Sequence, residues 1–266
     1  MSIFSKTVFQ GKHALITGAT GGIGSATAKL LVGMGAAVTI TGRNETQLEI
    51  LNKEIREQYT DAVVNVIRAD LTHESERLEL VEEAVRQAGP ITFLVNNAGA
   101  FQYEPIEELT QESIDSLMNI NFTSSVLLTQ LVYEGMKEWR DGSIVNVSSL
   151  SGMRGVPGTI AYSASKFAMI GFTHALALEA IGHNIRVNAV CPGYVDTNMG
   201  HDVVSATAVA GKVSLEQRWQ QVNAGIPSGR ITQPDEVANT IAFLLSDAAG
   251  NIVGEAVKIS GGALVR

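Results

Sequence analysis

Short apolar runs alternate with longer helix-like segments from one end of this 266-residue chain to the other. The runs fall near 13–17, 36–41, 62–68, 91–96, 142–148, 185–191 and 255–260, and the helical segments near 23–34, 45–58, 74–88, 111–138, 161–181 and 234–246. Runs such as Ala36-Ala37-Val38-Thr39-Ile40 and Phe93-Leu94-Val95 are continuously apolar rather than alternating. A strand reads that way when helices cover both of its faces. The pattern predicts an α/β fold, a doubly wound Rossmann-type parallel sheet of about seven strands with helices on both faces. One domain is expected over residues 1–266. Only 198–228 resists assignment. There 206–210 and 215–222 suggest short helices, joined by Gly211 and Gly225. A connection this long in a compact domain is usually functional, so a substrate loop or lid is expected.

The first strand runs into Gly18-Ala19-Thr20-Gly21-Gly22-Ile23-Gly24 and then a helix. Glycines at such a point permit a tight turn and let backbone N–H groups and the helix N-terminus approach a pyrophosphate. The spacing of Gly18, Gly22 and Gly24 is G-x-x-x-G-x-G, not G-x-G-x-x-G. The second strand ends Thr41-Gly42-Arg43-Asn44, where a carboxylate would favour NAD and an arginine suits the 2′-phosphate of NADP. Arg43 therefore favours NADP(H), although Glu45 nearby leaves NAD(H) possible. The third strand ends Ala69-Asp70-Leu71, with a carboxylate able to accept from an adenine amino group; the fourth ends Asn96-Asn97-Ala98-Gly99. Asn119 and Asn121 are polar positions in an otherwise apolar stretch, and a buried asparagine needs hydrogen-bond partners.

The stretch 148–166 carries the chemistry. Ser148 and Ser149 follow the fifth strand, and Tyr162 and Lys166 stand four apart at the start of a helix, on one face. A free phenol has a pKa near ~10, too high for a good general base at neutral pH. A lysine ammonium about 4 Å away, at an effective dielectric near 20, favours the phenolate by roughly 4 kcal/mol. That brings the phenol close to working pH, and a serine hydroxyl can hold the oxygen on which charge changes.

Bulk properties narrow the classes. A formal charge of −8 without a Lys/Arg cluster argues against nucleic acid and anionic membranes as partners. The sole cysteine, Cys191, sits in an apolar run and allows no disulfide within the chain. Residues 1–12 lack the apolar core of a leader, and no eighteen apolar residues run together, so a cytoplasmic protein is expected. The five histidines are scattered without metal-ligand spacing.

Thr17-Gly18-x-x-x-Gly22-Ile23-Gly24, Asn96-Asn97-Ala98-Gly99, Asn121, Ser149, Tyr162-x-x-x-Lys166 and Pro192-Gly193 occur in order and in register. Together they resemble the classical short-chain dehydrogenase/reductase family across nearly the whole chain. The resemblance implies an oxidoreductase that moves a hydride between NADP(H) and a carbonyl or secondary alcohol. Tyr162 would be the general acid/base, and Lys166 would lower its pKa and bond the nicotinamide ribose. Ser149 would orient the substrate oxygen, and Asn121 would hold a water linking Lys166 to solvent. Val195 and Thr197 would meet the nicotinamide carboxamide and Asp70 the adenine. Thr20, Ile23, Leu71, Pro192 and Gly193 complete the expected cofactor contacts. The resemblance also implies a small-molecule substrate and a homotetramer, or a homodimer. A 3-oxoacyl-[acyl-carrier-protein] reductase is the alternative enzyme; the non-enzymatic alternative is a dinucleotide-sensing protein. Gly21 stands where many NADP-binding members carry a second basic residue, which leaves the phosphate largely to Arg43.

Overall fold

The strands are β1 (His13–Ile16), β2 (Ala37–Gly42), β3 (Val64–Arg68), β4 (Phe93–Asn96), β5 (Gly142–Val147), β6 (Ile185–Pro192) and β7 (Ala256–Ile259). They form one sheet in the order β3-β2-β1-β4-β5-β6-β7, and every neighbouring pair is parallel. The coordinates are a computed structural model that describes residues 5–265. The stretch 1–12 considered above for a leader falls partly on residues 1–4, which lie outside the described residues, as does residue 266.

Successive residues of a strand point to opposite faces, and the two halves of the core divide on that rule. Ala14 and Ile16 of β1 enter the layer formed by α1 (Gly22–Gly33), α2 (Glu45–Gln58) and α9 (Pro234–Leu245). Leu15, between them, enters the opposite layer with Leu94 and Ile144. That layer is closed by α3 (Glu74–Ala88), α5 (Ser124–Trp139) and α6 (Ile160–Ala180). Helices cover both faces of the sheet, and β1, β4 and β5 are buried along their whole length. No helix among the described residues is long and apolar enough to cross a membrane.

Two segments differ from the sequence expectation. The single helix expected over 111–138 is broken into α4 (Gln111–Met118) and α5 by a π-helical turn at Asn119–Thr123. The wider turn inserts one residue and rotates α5 relative to α4, which an apolar periodicity averaged over the segment does not register. Within 198–228 the two short helices are longer than expected: α7 (Asn198–Ala210) and α8 (Leu215–Ala224). They carry a small core of their own, Val204, Val222 and Ile226, with Trp219 packed against it.

The order of the sheet reverses between β1 and β4: the chain steps outward to β2 and β3, then returns to β4 and continues the other way. Connections leaving the carboxyl ends of these two strands diverge, opening a crevice where ligands bind in sheets of this kind.

Candidate active site

A cleft of about 900 Å³ lies over that crevice. Its first wall is the turn after β1. Gly18 has φ +59°, and a Cβ there would stand 2.8 Å from the Ala98 Cα, so a side chain is excluded twice over. Thr17 ties the turn to β4: its hydroxyl oxygen accepts from the Asn97 and Ala98 backbone N–H groups at 2.9 and 3.0 Å. Asn97 returns the tie, its Nδ2 donating to the carbonyls of Thr17 and Gly18 at 3.0 and 2.9 Å. The amide of Asn97 thus fastens the turn, while its edge still lines the cleft.

Helix α1 begins at Gly22 with no side-chain cap and no acidic residue in its first turn. By contrast, α4 and α8 both carry capping boxes. Gly22 and Ile23 line the cleft, so the uncapped N–H groups at a positive helix end face it, as a pyrophosphate requires. Thr20 lines the same wall. Gly24 does not. A Cβ there would collide with the Gly18 carbonyl and the Ala19 Cα, so Gly24 seats the helix against the turn rather than meeting a ligand.

Arg43, Asp70 and Leu71 line the far end of the cleft, from β2 and β3; Glu45 does not reach it. Burial pushes the Asp70 carboxyl up. Hydrogen bonds from the Thr72 N–H and hydroxyl, with the charges of Arg43 and His73, outweigh that and hold it below its ordinary value. Both Thr72 bonds fall on Oδ1, at 3.0 and 2.8 Å.

The centre is built by β5 and α6, which are pinned together twice. Ser148 Oγ donates to the Lys166 carbonyl at 2.9 Å, and Lys166 Nζ donates to the Val147 carbonyl at 3.0 Å. Ser149 opens the next turn, its hydroxyl accepting from the Ser151 N–H at 3.1 Å. Tyr162, Lys166 and Ser149 all line the cleft, with the ring of Phe101 set edge-on to Tyr162 at 5.2 Å between centroids. Lys166 Nζ stands 5.8 Å from the Tyr162 ring centroid.

The electrostatic expectation for this pair is corrected here. Burial raises the Tyr162 phenol above its usual value, and the Ser149 hydroxyl only partly opposes it. Burial also brings Lys166 down to about 8, against the opposing influence of Cys191. Desolvation is the largest influence on both groups, and the Lys166 ammonium donates to a carbonyl of β5.

Asn121 lies in the π turn, wholly buried. Its Oδ1 accepts from the Ala100 N–H at 2.7 Å, and its Nδ2 donates to the Ala100 carbonyl and the Ser165 hydroxyl, each at 3.0 Å. The side chain is clamped between the loop after β4 and helix α6. It positions the loop at Gly99 and Ala100, both of which line the cleft with Ala98.

Pro192, Gly193, Val195 and Thr197 line the side beyond β6, and α7 and α8 close over it. Sequence reasoning marked 198–228 as a lid but singled out no residue in it as a ligand contact. Val203, Arg218 and Val222 reach the cleft from these helices, and Phe101 and Arg154 from loops. No motif marks these five; only the fold gathers them.

The model of the short chain dehydrogenase family matches residues 12–208. A 3-oxoacyl-[acyl-carrier-protein] reductase, FabG, of Thermotoga maritima is 37% identical over 256 residues, 96% of this chain and 99% of that protein. Among solved structures, a variant of the actinorhodin polyketide ketoreductase with NADPH superposes with a TM-score of 0.91 at 36% identity, covering 95% of this chain and 97% of its own. An NAD+-bound xylitol dehydrogenase gives 0.91 at 33%, covering 96% and 99%. With the family model spanning the glycine turn, the Ser149–Tyr162–Lys166 centre and most of α7, the chain belongs to the short chain dehydrogenase family of oxidoreductases.

Proposed function

We propose that the protein is an NADP(H)-dependent carbonyl reductase, or in reverse an alcohol dehydrogenase, acting on a small molecule. The observation that carries this is the placement of Ser149, Tyr162 and Lys166 in one cleft with an uncapped helix N-terminus and a glycine turn. The nicotinamide cofactor, when bound, supplies or accepts the hydride. Gly18, Thr20, Gly22 and Ile23 would hold its pyrophosphate, Asp70 and Leu71 its adenine, and Val195 and Thr197 its carboxamide. Ala98, Gly99, Pro192 and Gly193 shape the walls between.

Ser149 holds the substrate oxygen, and Tyr162 gives that oxygen a proton as the carbonyl carbon becomes a carbinol carbon. Lys166 would bond the ribose and add positive charge beside the phenol. A phenol kept protonated by burial is in the right state to act as the acid in reduction. Asn121 keeps the loop of Gly99 and Ala100 in register with α6. Arg43, lining the cleft where Glu45 does not, supports NADP(H) over NAD(H). The solved relatives hold NADPH in one case and NAD+ in another, so the family relationship alone does not choose.

The second reading, a 3-oxoacyl-[acyl-carrier-protein] reductase, is favoured by the Thermotoga relative. A cytoplasmic homotetramer is the assembly proposed. Ile160, Phe167 and Leu178 form an exposed apolar stripe along one face of α6, suited to pairing with a second copy. A panel of ketones and 3-oxoacyl thioesters, assayed with NADPH and with NADH, tests the reading. Turnover of at least one ketone with NADPH preferred is expected, and no turnover with either cofactor overturns it.

A further inference from the structure

The protein is acidic, yet its cleft is not. Among the described residues, four cationic side chains line it, Arg43, Arg154, Lys166 and Arg218, against a single carboxylate, Asp70. Arg43 and Asp70 belong to the adenosine end and Lys166 to the centre. Arg154 and Arg218 remain, and the activity described above uses neither.

Both stand at the lid end. Arg218, on α8, is half-buried; its Nε donates to the Thr207 hydroxyl at 3.0 Å and its Nη1 to the Gln221 side-chain carbonyl at 3.2 Å. No carboxylate lies within ion-pair distance of it among the described residues, whereas Arg230, Arg86 and Arg68 each have one. Arg154 donates Nη1 to the Ala263 carbonyl at 3.3 Å and likewise has no acidic partner among the described residues. Ala263 packs on the same small core, Val204, Val222 and Ile226, that Trp219 beside Arg218 covers. Both arginines line the same cleft as Val222, Ile226 and Ala263 of this apolar cluster. Arg218, partly desolvated and held only by neutral acceptors, keeps N–H donors and a full charge for an oxyanion, and the exposed Arg154 adds a second guanidinium at the cleft wall.

We propose that the cleft selects a carbonyl compound bearing an anionic group, a carboxylate or a phosphate, on an apolar arm, with Arg218 as its chief contact and Arg154 as the second. This rests on the reading of the cleft as a carbonyl-reducing site. The apolar arm fits between Val203 and Val222, and the anion meets the guanidinium groups as α7 and α8 close.

Matched substrate pairs test it with the whole protein and NADPH. 5-Oxohexanoate and 7-oxooctanoate are each compared with their methyl esters, and acetoacetyl-phosphopantetheine with acetoacetyl-pantetheine. The anionic member of at least one pair is expected to be favoured by ~10-fold or more in kcat/KM, mainly through KM. A preference among the keto acids identifies a carboxylate as the natural group; one confined to the thioester pair identifies a phosphate. Arg218→Gln should bring the favoured pair near parity, and Arg218→Lys should restore part of the preference. Lys212→Gln removes a charge from the loop between α7 and α8 without touching the cleft, and should leave the preference intact. Neutral members used equally well, a preference that survives Arg218→Gln, or one lost equally in Lys212→Gln overturns the proposal. Calorimetric binding of hexanoate, hexyl phosphate and hexanamide reads the same selectivity without turnover. Binding of an anion lost in Arg218→Gln supports the anion site even if no carbonyl is reduced. Equal binding of all three rejects the site even if ketones are reduced.

Discussion

The phenol of Tyr162 differs from a phenylalanine ring by the one oxygen that can exchange a proton with the substrate. Tyr162→Phe should therefore lower turnover by at least ~10² while NADPH still binds, measured by steady-state kinetics and a direct titration. Lys166 offers a test that does not depend on activity. Its folded pKa, about 8, lies below the ordinary 10.5, so between those values the unfolded chain binds more protons. Stability contributed at this position then rises as pH rises through that window. Below pH 8 the buried ammonium carries its full desolvation penalty, roughly 3 kcal/mol from the displacement of the pKa. Lys166→Met should remove that penalty, so the stability of the variant relative to the parent should fall by about this amount from pH 7.5 to 10.5 in denaturant titrations. A constant difference would show that burial is not what lowers the pKa. At the adenosine end, Arg43→Ala should weaken NADPH by ~1.5–3 kcal/mol, the range for a charged hydrogen bond, and barely alter NADH. Equal losses would mean that Arg43 packs on a part shared by both cofactors. Ser149, Tyr162 and Lys166 were legible in the sequence because strand and helix hold them at fixed separations. Their pKa values were not, because they depend on what surrounds the groups.

At the scale of elements, α7 and α8 are the segments whose motion the proposed chemistry needs. They are held together by Val204, Val222 and Ile226, a core separate from the two that flank the sheet. A unit with its own small core can move as one body, and closing it over the nicotinamide excludes water and strengthens the fields around Tyr162. Hydrogen exchange across 198–228 should be fast without ligand and slow once NADPH and substrate are bound. Protection already complete without ligand, and unchanged by it, would make these helices part of the assembly. Helix α7 was hard to read because only Val204 and Ala208 are buried, and Val203, Thr207 and Val209 are weak helix formers. The π turn was hidden for a different reason. Asn119 and Asn121 stand out as polar positions, but the tie from Asn121 to Ala100 joins positions 21 apart, which no local pattern records.

Across the whole molecule, the sheet was the most legible part, since burial on both faces leaves strands such as β2 and β4 largely apolar. The wall of the cleft proposed for the cofactor was legible with it, because its residues sit at or directly after the ends of β1, β2, β3, β4 and β6. The opposite wall was not: Phe101, Arg154 and Arg218 come from three separate segments that meet only when the chain is folded. The central claim is that this fold brings a carbonyl carbon and a nicotinamide together beside Tyr162. It is tested most directly by isotope transfer. The protein is given NADPH carrying deuterium at the transferable C4 position, with a ketone from the panel, and the alcohol product is analysed by mass spectrometry. One deuterium per product molecule, bound to the carbinol carbon, is the predicted result, with product formation falling at least ~10² in Tyr162→Phe. An alcohol product without deuterium at that carbon, or no alcohol from any ketone with NADPH or NADH, would contradict it.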